Sequence, residues 1–495
     1  MTRATAIDTL RPGLNAAIAL TAAVIVAVAA GWGAAQAGPL ITAVAMVGLG
    51  LLYLTLKSVW APFGAVVAVM CLLPFFVVPV STAGASPTLF ELAALTAIGS
   101  YAVVLLLDRR ERIVVRAEVV VWALLGGYLI FAFVLGTRFG AGTDLVRLFL
   151  RFGLAFGLFW LTVQLVRTPG MAHRAVVWIA LGATSAAAIA LSLYSGGASL
   201  TFRALSGLVQ YGYPDSRIVR YIEDNPDNPM RAVGTSVDPN AFGGLLMVGL
   251  ILIAGLLLSR RRTVPAPVLV CAASLCGLAM LLTFSRGAWI GALAGLGVLV
   301  WFRARVVVPF AIAGGVALLL LGVGATYVGR LETGLRMEDP ATVQRLNEYR
   351  NALENIRRHP WFGLGFGDAP SPDFGVGVSS IYLLVAEQTG LVGLALFGLF
   401  CLIALRRAWI RFRATGDDLL LTVGAAFVGM LTVGLVDHYY FNIRFAHMAA
   451  LFWIVAGLLV ALSNNEVLPD EQEGDGRWQQ EPHRAFTPRL RQSST

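Results

Sequence analysis

At 495 residues the chain is 58% hydrophobic and only 13% charged, with a mean hydropathy of +0.77, which excludes a soluble globular protein and points to a polytopic helical membrane protein. The net charge of +9 would suggest nucleic acid for a soluble chain, but here the arginines sit in short loops between apolar runs, so no nucleic-acid partner is expected. Those runs are continuous rather than alternating, which excludes a β-barrel, and Cys71, Cys271, Cys276 and Cys401 all lie inside them, so neither a disulfide framework nor a metal site is indicated.

In chain order, about fourteen candidate spans occur, each near the roughly 20 residues needed to cross the hydrocarbon core. They cover 16–33, 39–56, 62–80, 89–107, 119–135, 145–165, 176–194, 242–258, 264–282, 288–302, 306–327, 381–405, 419–436 and 446–462. The fold class is therefore all-α, with one transmembrane domain over 1–463 and a disordered cytoplasmic tail over 464–495, where the apolar pattern ends. The first span ends in Ala35-Gln36-Ala37, which looks like a signal cleavage site, but another apolar run follows at once and an uncleaved span is expected.

Arginine-rich connections recur at every second loop: 109–112, 167–174, 260–262, 303–305 and 406–413. They predict that these loops and both termini are cytoplasmic, which places the long connections 195–241 and 328–380 on the outer face.

The chemistry is expected in those outer segments. Asp339 and Pro340 are start signals for a helix that runs to His359, where Pro360 stops it. Val343, Leu346, Leu353 and Ile356 share an apolar side of it, while Arg345, Tyr349 and Ala352 fall on an adjacent strip. A Gly-rich turn, Trp361-Phe-Gly-Leu-Gly-Phe-Gly, follows, and Ser379-Ser-Ile-Tyr-Leu opens the next span.

Charges within or beside spans are the other candidates. Arg286, in Thr283-Phe-Ser-Arg-Gly, sits at an outer span end, either snorkelling to lipid phosphate or facing a ligand. Arg147 and Arg151 share a helix face, so they either meet a pyrophosphate or pair with Asp144 or Glu387. Glu387 lies inside a span, where an acid is paired or functional, and a salt bridge to an intramembrane arginine is its bland reading. Asp238-Pro-Asn240 is either a helix cap or a rim for the ligand. Asp437-His438 offers a general base, or else belongs to an interfacial Tyr/His belt. Arginines from separate outer segments suit a pyrophosphate, and no outer acidic cluster with metal-ligand spacing accompanies them, so no metal or cofactor is expected.

The run of Arg345, Tyr349, His-Pro-Trp-Phe-Gly-Leu-Gly, Ile-Tyr-Leu and Glu387-Gln-Thr-Gly-Leu-Val-Gly resembles the O-antigen ligase and O-antigen polymerase family, as does Gly234-Thr-Ser-Val-Asp-Pro-Asn-Ala-Phe; the similarity covers roughly Arg231 to Leu462. It implies a glycosyltransferase of the bacterial inner membrane that moves glycan from a polyprenyl-diphosphate donor to a glycan acceptor on the outer face, among membrane lipids and with a chain-length regulator as a further partner. By that resemblance Arg286 and Arg345 engage the donor diphosphate. From the residues' own chemistry and placement, His438 and Glu387 are further catalytic candidates and Arg147 and Arg151 substrate-binding ones, with Tyr349, Ser379, Tyr382 and Asn240, which lie in the resembling segments, as the other substrate-binding candidates. Where the family's ligases have His-Asn before Tyr-Leu, this sequence has Ser379-Ser380, and serine is a poor base. The departure favours a polymerase of exopolysaccharide or O-antigen units over a ligase to a lipid or protein acceptor. A lipid-linked oligosaccharide flippase and a peptidoglycan polymerase that uses an outer Asp are the remaining alternatives.

Overall fold

The computed structural model describes residues 58–78, 86–107, 113–140, 142–260, 262–305, 340–366 and 378–463. The helices are α1 Trp60–Leu72, α2 Leu89–Leu107, α3 Ala117–Gly136, α4 Thr143–Leu165, α5 Pro169–Ser195, α6 Gly197–Ser206, α7 Pro239–Leu258, α8 Ala266–Leu282, α9 Arg286–Arg303, α10 Pro340–Arg358, α11 Ile381–Thr415, α12 Asp418–Val433 and α13 Ala446–Leu462. Among the described residues, seven helical segments are long and apolar enough to cross a membrane: α2 to α5, α7, α11 and Ile443–Leu462, which contains α13. The expected spans at 16–33, 39–56 and 306–327, the Asp339 cap and the tail beyond 463 lie outside the described residues. Each of the other expected spans contains a helix.

Local signals account for the helix starts. Thr168 caps α5 ahead of Pro169, Asp238 caps α7 ahead of Pro239, Ser285 caps α9 and Asp417 caps α12, each side chain accepting from backbone N–H groups of the first turn. The span expected over 62–80 is corrected: the helix ends at Leu72, because Pro74 has no N–H with which to continue it. Val77 instead forms an isolated antiparallel bridge with Thr88 at the start of α2.

The centre of the bundle is α13, in which every residue from Ala446 to Leu462 is buried, as suits a helix that is apolar all round. Trp453 is enclosed by the rings of Phe156 and Phe159 of α4, Phe400 of α11 and Phe452. Beside this core, α9 and α12 approach closely at glycines. A Cβ on Gly291 or Gly295 would meet the Gly429 or Ala425 carbonyl oxygen at 2.9 Å, so small residues let these two backbones touch. That contact fixes the start of α9 against the connection that follows α12.

The apolar run at 381–405 is helical, as expected, but α11 is longer and is broken at Gly390, whose φ of 68° and ψ of −175° only glycine adopts readily. The break lets the turn after α10 dock on exposed backbone: Leu364 and Gly365 donate to the carbonyls of Glu387 and Gln388, and Leu391 donates to Pro360. These bonds satisfy polar backbone that a membrane helix cannot leave unpaired. They also carry α10 onto the end of the bundle.

Candidate functional site

The residues gathered by this docking lie at the end of the bundle where α7, α9, α11 and α13 begin and α12 ends. The packed side of α10 is not its apolar side. Of the four residues on the expected apolar side, Val343 and Leu353 are exposed and Leu346 and Ile356 half-buried, whereas on the adjacent strip Ala352 is fully buried and Tyr349 half-buried. The reason is that α10 is held by polar contacts: the Tyr349 hydroxyl donates to the carbonyls of Ser379 (2.9 Å) and Leu435 (3.4 Å), and Asn355 Nδ2 donates to Glu387 Oε1 (2.7 Å).

Asp437 is the focal point. It is 5% exposed, its Oδ1 accepts from the His438 backbone N–H at 2.9 Å, and its Oδ2 lies 3.8 Å from Arg345 Nη2. A Cβ built on Gly287 would come within 4.0 Å of the same Oδ2, so the first turn of α9, with Arg286 at its head, abuts this carboxylate. Arg345, the Arg286 end of α9, Asp437 and His438 thus converge, although they come from α10, α9 and the connection between α12 and α13.

His438 Nδ1 lies 3.5 Å from Asp437 Oδ1 and has no directed hydrogen bond, so their attraction rests on charge. Burial works against a charged ring here, but the Asp437 carboxylate, with Glu348 and Asp238 behind it, outweighs that cost and holds the imidazole above its ordinary range. Burial likewise pushes the Tyr349 phenol up, opposed by Arg345, so it remains a hydrogen-bond donor. Among the described residues, Ser236 Oγ and Tyr439 Oη are buried without a hydrogen-bond partner. Such atoms cost about 1–3 kcal/mol each. Val237 and Phe284 are also held at φ of 61° and 51°, and each directly precedes the cap of a helix that enters this region. Left-handed backbone at residues other than glycine is a cost that recurs at binding and catalytic sites.

The other sequence candidates are placed as follows. Ser379 Oγ donates to Glu348 Oε2 at 2.7 Å and its backbone N–H to the same oxygen at 3.1 Å, beside the cluster. Tyr382 donates to the Leu431 carbonyl at 2.8 Å and ties α11 to α12. Asn240 Oδ1 accepts from Arg231, whose Nε also reaches the Thr283 carbonyl, both at 2.7 Å; it therefore braces the ends of α7 and α8. Glu387 is buried against Asn355, not against an arginine, and lies at the far end of α10 from Arg345. Arg147 pairs with Asp144 at 3.7 Å, as one of its expected alternatives had it, but Arg151 pairs with Glu91 at 2.8 Å and lines a separate pocket with Arg444 and His447. Neither arginine meets Glu387.

Sequence reasoning passed over Glu348. It stands on the same strip as Arg345, Tyr349 and Ala352, three residues after the arginine, and that spacing was the signal that could have found it.

Residues 271–398 match a family model described as O-antigen ligase. The matched stretch runs from α8 to the second half of α11 and carries Arg286, Arg345, Glu348, Tyr349, Ser379 and Glu387, while Asp437 and His438 lie beyond it. No curated protein matches the chain.

Proposed function

We propose that this membrane protein, with its O-antigen ligase family segment, polymerises glycan repeat units from a polyprenyl-diphosphate-linked donor on the outer face of the bacterial inner membrane. The observation that carries the reading is the convergence of Arg345 and the Arg286 end of α9 on Asp437 and His438. Guanidinium groups from two segments bind a diphosphate in bidentate fashion. In transfer, the acceptor hydroxyl attacks the anomeric carbon, the bond to the diphosphate oxygen breaks, and that oxygen takes the electron pair. Arg286 and Arg345 stabilise the charge that develops there, and a charged His438 adds to the field. The donor's lipid tail stays in the bilayer and the acceptor glycan approaches from the Ser379 side.

Polymerisation is favoured over ligation because Ser379 stands where the family's ligases, by resemblance, carry a histidine. No step runs through a metal, so turnover with purified donor is expected to survive EDTA. The deciding experiment is deletion in the native host with analysis of surface glycan chain length. A polymerase deletion leaves single repeat units attached to the surface and long chains lost. A ligase deletion leaves polymer on the lipid carrier, and unchanged surface glycan would overturn both readings.

A further inference from the structure

We propose that Glu348 is the base that takes the proton of the attacking acceptor hydroxyl, directly or through the Ser379 hydroxyl. The assignment rests on the transferase reading and goes beyond it by naming a group that no sequence resemblance supplies. Several acids and bases lie on or near α10, and geometry separates them: Glu354 pairs with Arg358 and Asp238 caps α7. Glu387 is buried and held by Asn355 near the opposite end of α10. Asp437 is buried and engaged by the His438 backbone and Arg345, which leaves it an anchor for cations. His438 has its Nδ1 against Asp437, an orientation that leaves Nε2 free, but the ring sits with Arg345 on that carboxylate and not against Ser379, which bonds Glu348.

Glu348 is the remaining one. It is half-buried, its Oε2 accepts twice from Ser379, and it stands one helical turn from Arg345 on the same strip of α10. A carboxylate has two oxygens and about four acceptor positions, so two bonds from Ser379 to Oε2 and one from Gln344 Nε2 to Oε1 (3.0 Å) leave room for a further donor. The Ser379 hydroxyl can itself accept while it donates to Glu348, which makes a two-step path for one proton. The step balances: the acceptor oxygen forms the glycosidic bond, the anomeric carbon–phosphate oxygen bond breaks with its electrons on the diphosphate, and the proton ends on Glu348 and leaves to water. This arrangement also accounts for serine at a place where a base is needed, since the carboxylate stands directly behind it.

The test uses the lipid-linked donor that accumulates in membranes of the deletion strain, supplied to purified full-length protein. Glu348→Gln keeps an acceptor oxygen for Ser379 but cannot take a proton. It is expected to lower turnover by about 10²–10⁴-fold without weakening donor binding, a fall in kcat and not a rise in KM, and to be partly rescued in Glu348→Asp. Ser379→Ala is expected to cost less than Glu348→Gln. A Glu348→Gln protein with wild-type melting temperature and a near-normal rate overturns the assignment and leaves the transferase reading standing. A wild type that binds this donor and transfers nothing overturns the transferase reading and the assignment with it.

Discussion

The two ends of the bundle use the same residue types in opposite ways. At one end, Arg303 bonds Asp418 and donates to the Gly416 carbonyl at 2.6 Å, with its guanidinium 5.6 Å from the Phe412 ring, and Asp418 also accepts from Ser259 and the Arg260 N–H. Nearby Arg407 meets the buried Glu118 at 3.1 Å. These charges are paired, bonded and largely enclosed. At the other end, Arg345 stands 3.8 Å from Asp437, His438 Nδ1 lies 3.5 Å from the same carboxylate, Tyr439 Oη has no hydrogen-bond partner among the described residues, and two residues other than glycine are held in left-handed backbone. An arginine closed onto an acid and a carbonyl holds the fold, whereas one left at a loose distance retains donors for an anion.

The largest expected effects are those that set the two arginines against each other. Arg303→Ala strands Asp418 and is expected to destabilise by about 3–5 kcal/mol, read as loss of folded protein after detergent extraction. Arg345→Ala is expected to leave the melting temperature within a few degrees and to lower glycan transfer by about 10²–10³-fold. Equal losses of melting temperature in both variants would erase the distinction between the ends.

Next in size is the break in α11. Gly390→Ala places a side chain at φ of 68° and brings its Cβ within 2.2 Å of the Trp361 carbonyl oxygen. Backbone strain alone is expected to cost about 1–3 kcal/mol, and the clash adds to it. Because the docked turn positions α10, activity is expected to fall further than stability. A variant that keeps full transfer would show that the site does not depend on this docking.

How much of this was legible in the sequence varies with the range of the interaction. Helices at the apolar runs among the described residues were, since each run is local, although only seven segments there are long and apolar enough to span and the one expected over 62–80 stops at Leu72; so was the strip of Arg345, Tyr349 and Ala352, since helical spacing is local too. Glu348 was on that strip, but an acid among the charges of a polar helix reads as solvated until Ser379, 31 residues on, is seen beside it. The break at Gly390 was hidden because apolar sequence continues beyond it, and only the backbone of Trp361 to Gly365 makes it necessary. Glu387 was legible as a buried acid that needs a partner. The partner is a neutral amide rather than an arginine, a choice that depends on how α10 docks.

That pair yields a smaller prediction. Asn355→Ala removes the donor to a buried carboxylate and is expected to cost about 1–3 kcal/mol, measured by thermal melting. Glu387→Gln, whose amide oxygen still accepts from Asn355, is expected to cost less and to keep most of the transfer rate. A large loss of rate in Glu387→Gln with unchanged melting would return this acid to the reaction.

The smallest expected effect concerns the charge on His438. Its folded-state value is raised above the ordinary one, with burial opposed and outweighed by Asp437, Glu348 and Asp238. The folded state therefore holds the proton more tightly than the unfolded chain does. Its contribution to stability is fully present below the unfolded value of about 6.5 and is lost as pH rises through the folded value. Comparing the melting temperature of the wild type with that of His438→Gln, the advantage of the wild type is expected to be greatest in mild acid and to shrink toward alkaline pH. An advantage that grows with pH would mean that burial prevails and the ring is neutral. A neutral imidazole beside Arg345 could then accept a proton, and Glu348 would have a competitor as base. A charged one cannot, and its place with Arg345 on Asp437 makes it a further cation beside the two arginines of the proposed diphosphate site.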